Sequence, residues 1–92
     1  MKTYEFDRND FIFAEEFYNV FQQKLKLPSW FGKNADALWD VLTGYIEFPV
    51  KFRLINFNKK ENQYNKMVID KIMNCFLDAQ NQFPSQIIVE IK

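Results

Sequence analysis

The chain has 92 residues, with 12 Lys+Arg balanced by 12 Asp+Glu, no His and one cysteine, Cys75. A neutral chain of this length holds one core, lacks the charge excess of a nucleic-acid or membrane binder, and can form no internal disulfide. Without histidine the commonest acid–base catalyst and metal ligand near neutral pH is missing, so neither cofactor nor metal is expected. In chain order, MKTYEFDRND shows acids from the fifth residue and no apolar h-region, so it does not read as a signal peptide. No stretch nears the ~18 apolar residues of a membrane helix. The expectation is a single cytoplasmic domain over residues 1–92.

Residues 2–6, KTYEF, alternate with Tyr4 and Phe6 on one face, as a half-buried strand does. DRND follows as a turn. FAEEFYNVFQQKLKL places Phe13, Phe17, Phe21 and Leu25 at helical spacing with Val20 alongside, which predicts a helix with Phe13, Phe17 and Phe21 in the core. Glu15 and Glu16 in its first turn and Lys24 and Lys26 in its last suit the macrodipole. Pro28 ends it, and LPSWFGK reads as a loop.

NADALWDVLT reads as a short helix, with Asn34 as N-cap and Gly44 as the C′ residue. VKFRLIN alternates Val50, Phe52 and Leu54 with Lys51 and Arg53, giving a second one-sided strand. FNKKENQY is polar, a short helix or a loop. NKMVIDKIMNCFLDAQ is amphipathic, with Val68, Ile72, Cys75, Phe76 and Ala79 as the buried stripe. Cys75 therefore reads as a buried, unreactive thiol. QIIVEIK is a final strand, expected to be more fully buried. Strands alternating with helices argue for parallel pairing through right-handed crossovers. Two strands with one polar face favour a two-layer α/β domain with helices mainly on one side. Strand order is not readable at this level.

The short helix carries the chemistry. At 100° per residue, with Asp36 at zero, Asp40 falls at about 40°, Thr43 at about 340° and Trp39 at about 300°. Leu38, Val41 and Leu42 fall on the opposite side, so the helix has a clear core face. Two like charges at i,i+4 cost an isolated helix about 0.2–0.5 kcal/mol. The dipole compensates Asp36 in the first turn but not Asp40 beyond the middle, and Asp is a poor interior helix former. Stability gives no reason for Asp40, and such rule-breaking positions are candidate functional sites. The plainer readings are a solvated face for the two acids and a partly buried Trp39.

The run LPSWFGKNADALWDVLTGYIEFP, residues 27–49, resembles the barstar family of ribonuclease inhibitors. The features that carry it are Leu-Pro, two aromatics, Gly, Asn, then DALWD and LTG, an aromatic, Glu, an aromatic and Pro. The likeness continues more weakly through the N-terminal strand, CFLDAQ at 75–80 and the Ile/Val-rich terminal strand. It implies a two-layer α/β fold with a three-stranded parallel sheet, and a cis bond at Phe48–Pro49. It also implies inhibition of a secreted-type ribonuclease inside the cell that makes it. By the resemblance, Asp40 takes the place of a substrate phosphate and Asp36 pairs with further basic groups. Trp30 and Phe31 pack on the enzyme; Asn34, Trp39, Thr43, Gly44 and Tyr45 lie in or beside the contact surface. Asp78 matches a further acid on the long helix.

The departures are specific. Inhibitors of this family are acidic and this chain is neutral, which weakens long-range attraction to a basic nuclease. Lys33 replaces an acid, Trp30 stands where Tyr is usual, Phe31 lacks a hydroxyl and Tyr45 replaces a Trp. These changes point to a different cognate partner, such as a nuclease toxin of another type. Three functional classes follow: an inhibitor acting by substrate mimicry, an interaction module with a partner other than a ribonuclease, and an enzyme using Asp36 and Asp40 as an acid–base pair. The first is the expectation, with a protein partner, no direct contact to nucleic acid or membrane, and a monomer when free. An enzyme is not expected, because a catalytic carboxylate pair needs a pocket.

Overall fold

The computed structural model describes all of residues 1–92. The elements run β1 (Lys2–Asp7), two 3₁₀ turns (Arg8–Asp10 and Ala14–Glu16), α1 (Phe17–Leu25), α2 (Ala35–Gly44), β2 (Val50–Ile55), α3 (Gln63–Gln82) and β3 (Ile87–Ile91). The sheet is parallel throughout, in the order β1-β2-β3. The α/β class, the three parallel strands and the one-sided helix layer are as the alternation predicts.

One sheet face buries Phe6, Val50, Phe52, Leu54 and Ile87. Against it α1 brings Phe17 and Phe21 and α3 brings Phe76. The rings of Phe52 and Phe76 lie 4.9 Å apart and those of Phe6 and Phe17 5.1 Å apart, both edge-on. The other face is solvated and carries a cross-strand ladder. Arg53 is in register with Glu5 and Glu90 and bonds both, at 3.0 and 2.8 Å. Of FNKKENQY, residues 57–62 are a loop and Gln63 and Tyr64 open α3, which starts where the Asn62 carboxamide accepts from the Asn65 N–H at 2.8 Å.

Three expectations need correction. Phe13 is exposed, with Phe11 and Ala14 in the core instead. The Glu16 carboxylate accepts from the Ile12 and Phe13 N–H groups at 3.1 and 2.7 Å, which holds Phe13 extended and delays the α-helix to Phe17. β3 is not the more buried strand: only Ile87 is buried, because β3 is an edge and β2 the centre. Gly44 is the last residue of α2 and not a left-handed C′ position, since no glycine has positive φ. Phe48–Pro49 is cis.

The sheet's two free edges are partly covered. Gln86 and Lys92 bond β2 through their backbone, so alternate residues Ile87, Val89 and Ile91 turn theirs outward. The Ile87 N–H finds the Phe83 carbonyl at 2.9 Å, and the Val89 N–H finds the Gln80 side-chain oxygen at 2.6 Å. By the same alternation Glu5 faces outward from β1, and its carbonyl accepts from the Lys24 ammonium.

Candidate functional site

The site begins with the cap of α2. The Asn34 Oδ1 accepts from the Ala37 N–H at 2.8 Å, and its Nδ2 donates to the Gly32 carbonyl at 3.2 Å. This starts the helix at Ala35 and sets its rotation. Leu38, Val41 and Leu42 are buried, while Asp36 and Asp40 are exposed. Trp39 and Thr43 are half-buried at the margin, and the Thr43 hydroxyl donates to the Trp39 carbonyl at 2.8 Å. That bond leaves the hydroxyl lone pairs free to accept from outside.

The tertiary structure adds Asp78. Its carboxylate and that of Asp36 line one groove of about 570 Å³ between α2 and α3, together with Trp39, Asn74 and Cys75. The Cys75 Sγ lies 3.8 Å from the Ala35 carbonyl oxygen. Burial, then the negative charges of Asp78 and Asp36, push its thiol up to about 11. Cys75 is thus a packed, protonated group at neutral pH, beneath two carboxylates. Asp40 lines none of the molecule's four hollows.

At the loop end of the surface, Trp30 and Tyr45 form an edge-on pair 5.4 Å apart. They are 61% and 50% exposed, a large apolar area to leave in water. Phe31 does not join them. It is 3% exposed, packs 5.8 Å from the Phe21 ring, and belongs to the core. This corrects its expected place on the contact surface: Trp30 turns outward, whereas Phe31 turns inward and fills the space beside Phe21 of α1. Gly44 is exposed, and a Cβ there would meet nothing within 4 Å. The fold has no steric need for glycine at that position.

The hydrogen-bond inventory separates these acids from the others. Of the 12 acidic side chains, Glu5, Asp7, Glu15, Glu16, Glu61, Asp70 and Glu90 each have a partner. Asp10, Asp36, Asp40, Glu47 and Asp78 have none, and four of those five lie in or beside this surface. Sequence reasoning missed a different pair. Arg8, buried after β1, bonds Glu61 at 2.6 and 3.0 Å and donates to the Phe11 and Ile12 carbonyls at 2.6 and 3.1 Å. Its DRND context reads as a solvated turn, and nothing local marks it. The cluster is structural: it ties the loop before α3 to the end of β1.

A two-layer α/β domain that presents unpaired carboxylates and exposed aromatics on one helix and its flanking loop defines the class. Residues 1–90 match the model of the family described as Barstar (barnase inhibitor), and the chain belongs to that family. It is also similar to a Bacillus subtilis (strain 168) protein named "Putative ribonuclease inhibitor YrdF". The two are 32% identical over 92 residues, spanning 98% of this chain and 100% of the relative. No helix is long and apolar enough to cross a membrane.

Proposed function

We propose that this protein inhibits a ribonuclease of the secreted type, within the cell that makes it, by presenting Asp40, Asp36 and Asp78 to the nuclease active site in place of RNA phosphates. The observation that carries this reading is the set of unpartnered carboxylates on α2 and α3, in a molecule that engages most of its other acids. A carboxylate accepts paired, charge-assisted bonds from arginine in much the geometry a phosphate offers. Such a bond strengthens when the complex excludes water, which the exposed Trp30–Tyr45 pair and half-buried Trp39 help to do. Asn34 acts as the positioning residue that orients α2, and Thr43 offers its lone pairs at the edge. Gly44 leaves room for close approach of the partner. The family membership and the name of the relative support the same reading.

An acid–base enzyme fits less well, because Asp40 lines no hollow that could enclose a substrate. A partner that is not a ribonuclease is the second reading, favoured by the neutral net charge and Lys33.

The test measures cleavage of a fluorogenic RNA by secreted ribonucleases titrated with the chain. Stoichiometric inhibition is expected. Asp40→Ala should lose it by roughly 10- to 100-fold for each charged hydrogen bond removed. The same variant should fold normally and gain up to about 1 kcal/mol, since it relieves like-charge repulsion and improves helix propensity. An Asp40→Ala variant that unfolds, or inhibits as well as wild type, removes the mimicry reading.

A further inference from the structure

The acidic groove does not end at Asp36. It continues into a second hollow of about 370 Å³, lined among others by Tyr18, Lys33, Asn34, Tyr64 and Val68. Ala35, Asp36, Met67 and Lys71 line both hollows, so the two form one open surface. The character changes along it. The first hollow holds Asp36, Asp70 and Asp78 against Lys71 alone. The second adds Lys33 and the exposed Tyr64 (57%), and the exposed Met67 (66%) spans both.

The second hollow sets Glu15 and Asp36 against Lys33 and Lys71, and these charges are unevenly satisfied. Glu15 is held by the Tyr64 hydroxyl at 2.6 Å. Lys33 and Lys71 take part in none of the five salt bridges and none of the side-chain hydrogen bonds. Lys33 also sits at φ 55°, a left-handed conformation that costs a non-glycine residue about 1–2 kcal/mol. Gly32 and Asn34, types that tolerate this conformation better, flank it, yet a lysine occupies it. Lys26, the left-handed C-cap of α1, is a lysine in the same conformation, so the case for Lys33 rests on its place in the hollow.

We propose that the contact surface extends from the acids across Met67 into this hollow, where Lys33 and Lys71 receive a carboxylate on the rim of the partner nuclease, flanked by an apolar side chain that covers Met67 and Tyr64. This rests on the inhibitor reading. The partner it fits has a basic active site beside an acidic, apolar rim, and the Lys33–Lys71 pair selects for that rim. A uniformly basic partner would be repelled by the same two lysines, so the sign of their effect decides the matter.

The experiment uses the full chain and a secreted ribonuclease that the wild-type chain inhibits. Lys33→Glu/Lys71→Glu is compared with Lys60→Glu/Lys92→Glu, which makes the same change in net charge away from the surface. The control absorbs long-range attraction, so the difference reports the hollow. Inhibition by the hollow variant is expected to be at least tenfold weaker than by the control, and Met67→Ala several-fold weaker than wild type. Lys33→Gln/Lys71→Gln, which disturbs folding less, should weaken inhibition in the same direction. If the Glu variant inhibits as well as its control, or the Gln variant as well as a Lys60→Gln/Lys92→Gln control, or better, the hollow does not receive an acid and the proposal is overturned. Asp40→Ala, assayed in parallel, separates the two ideas: its loss of inhibition with unchanged lysine variants sinks only the extension. A wild-type chain that inhibits no ribonuclease removes both.

Discussion

Asp36 on α2 and Asp78 on α3 line the same groove, with the Cys75 thiol packed beneath them. Each carboxylate raises the cost of ionising that thiol. Replacing either by Asn should therefore lower the Cys75 pKa and speed alkylation at a fixed mildly alkaline pH. A pH–rate profile of thiol modification on the folded protein checks this. An unchanged profile in Asp78→Asn would show that the two groups do not sense each other.

Gly44 ends α2 with open space where a Cβ would project. Gly44→Ala should stabilise the domain by up to about 1 kcal/mol, because alanine loses less backbone entropy in a helix. On the proposed contact surface the added methyl would project toward the partner, so inhibition should weaken. Urea denaturation and the RNA-cleavage assay together test whether stability and binding move in opposite directions.

The Arg8–Glu61 pair is buried, with side chains 2% and 5% exposed. Removing one partner strands the other charge away from water. Arg8→Ala or Glu61→Ala should each cost about 3–5 kcal/mol, and an Arg8→Met/Glu61→Leu double variant much less. A domain of this size has only about 5–15 kcal/mol in total, so either single variant approaches unfolding. Chemical denaturation of the three variants gives the comparison, and equal losses in all three would contradict it.

Alkaline pH should destabilise the protein. Burial pushes the Tyr18 hydroxyl up to about 12 from its ordinary 10.0, and Cys75 up to about 11 from 9.0. Both values are raised, so the fold favours the protonated, neutral forms. Their contribution is complete below about pH 9 and is lost as pH rises through 11 to 12. Tyr18→Phe should flatten the decline above pH 10, as read by circular dichroism against pH.

Lys24 and Gln80 each occupy an outward backbone group on a free sheet edge, the Glu5 carbonyl and the Val89 N–H. Unpaired edges template pairing with another chain. Lys24→Met/Gln80→Leu should fold but self-associate at concentrations where the wild type does not. Sedimentation velocity across a concentration series distinguishes the two, and a monodisperse variant would assign the capping to local stability alone.

Much of this molecule could be read from local pattern. Tyr4 and Phe6 alternate, Phe17 and Phe21 recur at helical spacing, and Asn34 stands where a helix must start. These follow from the periods of strand and helix, which neighbouring residues express by themselves. The same geometry put Asp36, Asp40 and Thr43 on one side of α2 with Leu38, Val41 and Leu42 opposite, and the structure agrees. Phe13 was misread because a capping carboxylate, Glu16, competed with the helical period. Phe31 was placed on the surface by resemblance alone, and a loop has no period that could show which way its side chain turns.

What local pattern could not supply was adjacency between distant segments. The central place of β2, the meeting of Arg8 with Glu61, and the approach of Asp78 to Asp36 depend on how helices cross the sheet, and no short-range period encodes a crossing. The sequence therefore determined which face of α2 was available. Tertiary packing decided what stands beside that face: one side of α3, carrying Met67, Lys71, Cys75 and Asp78 in turn along the same groove.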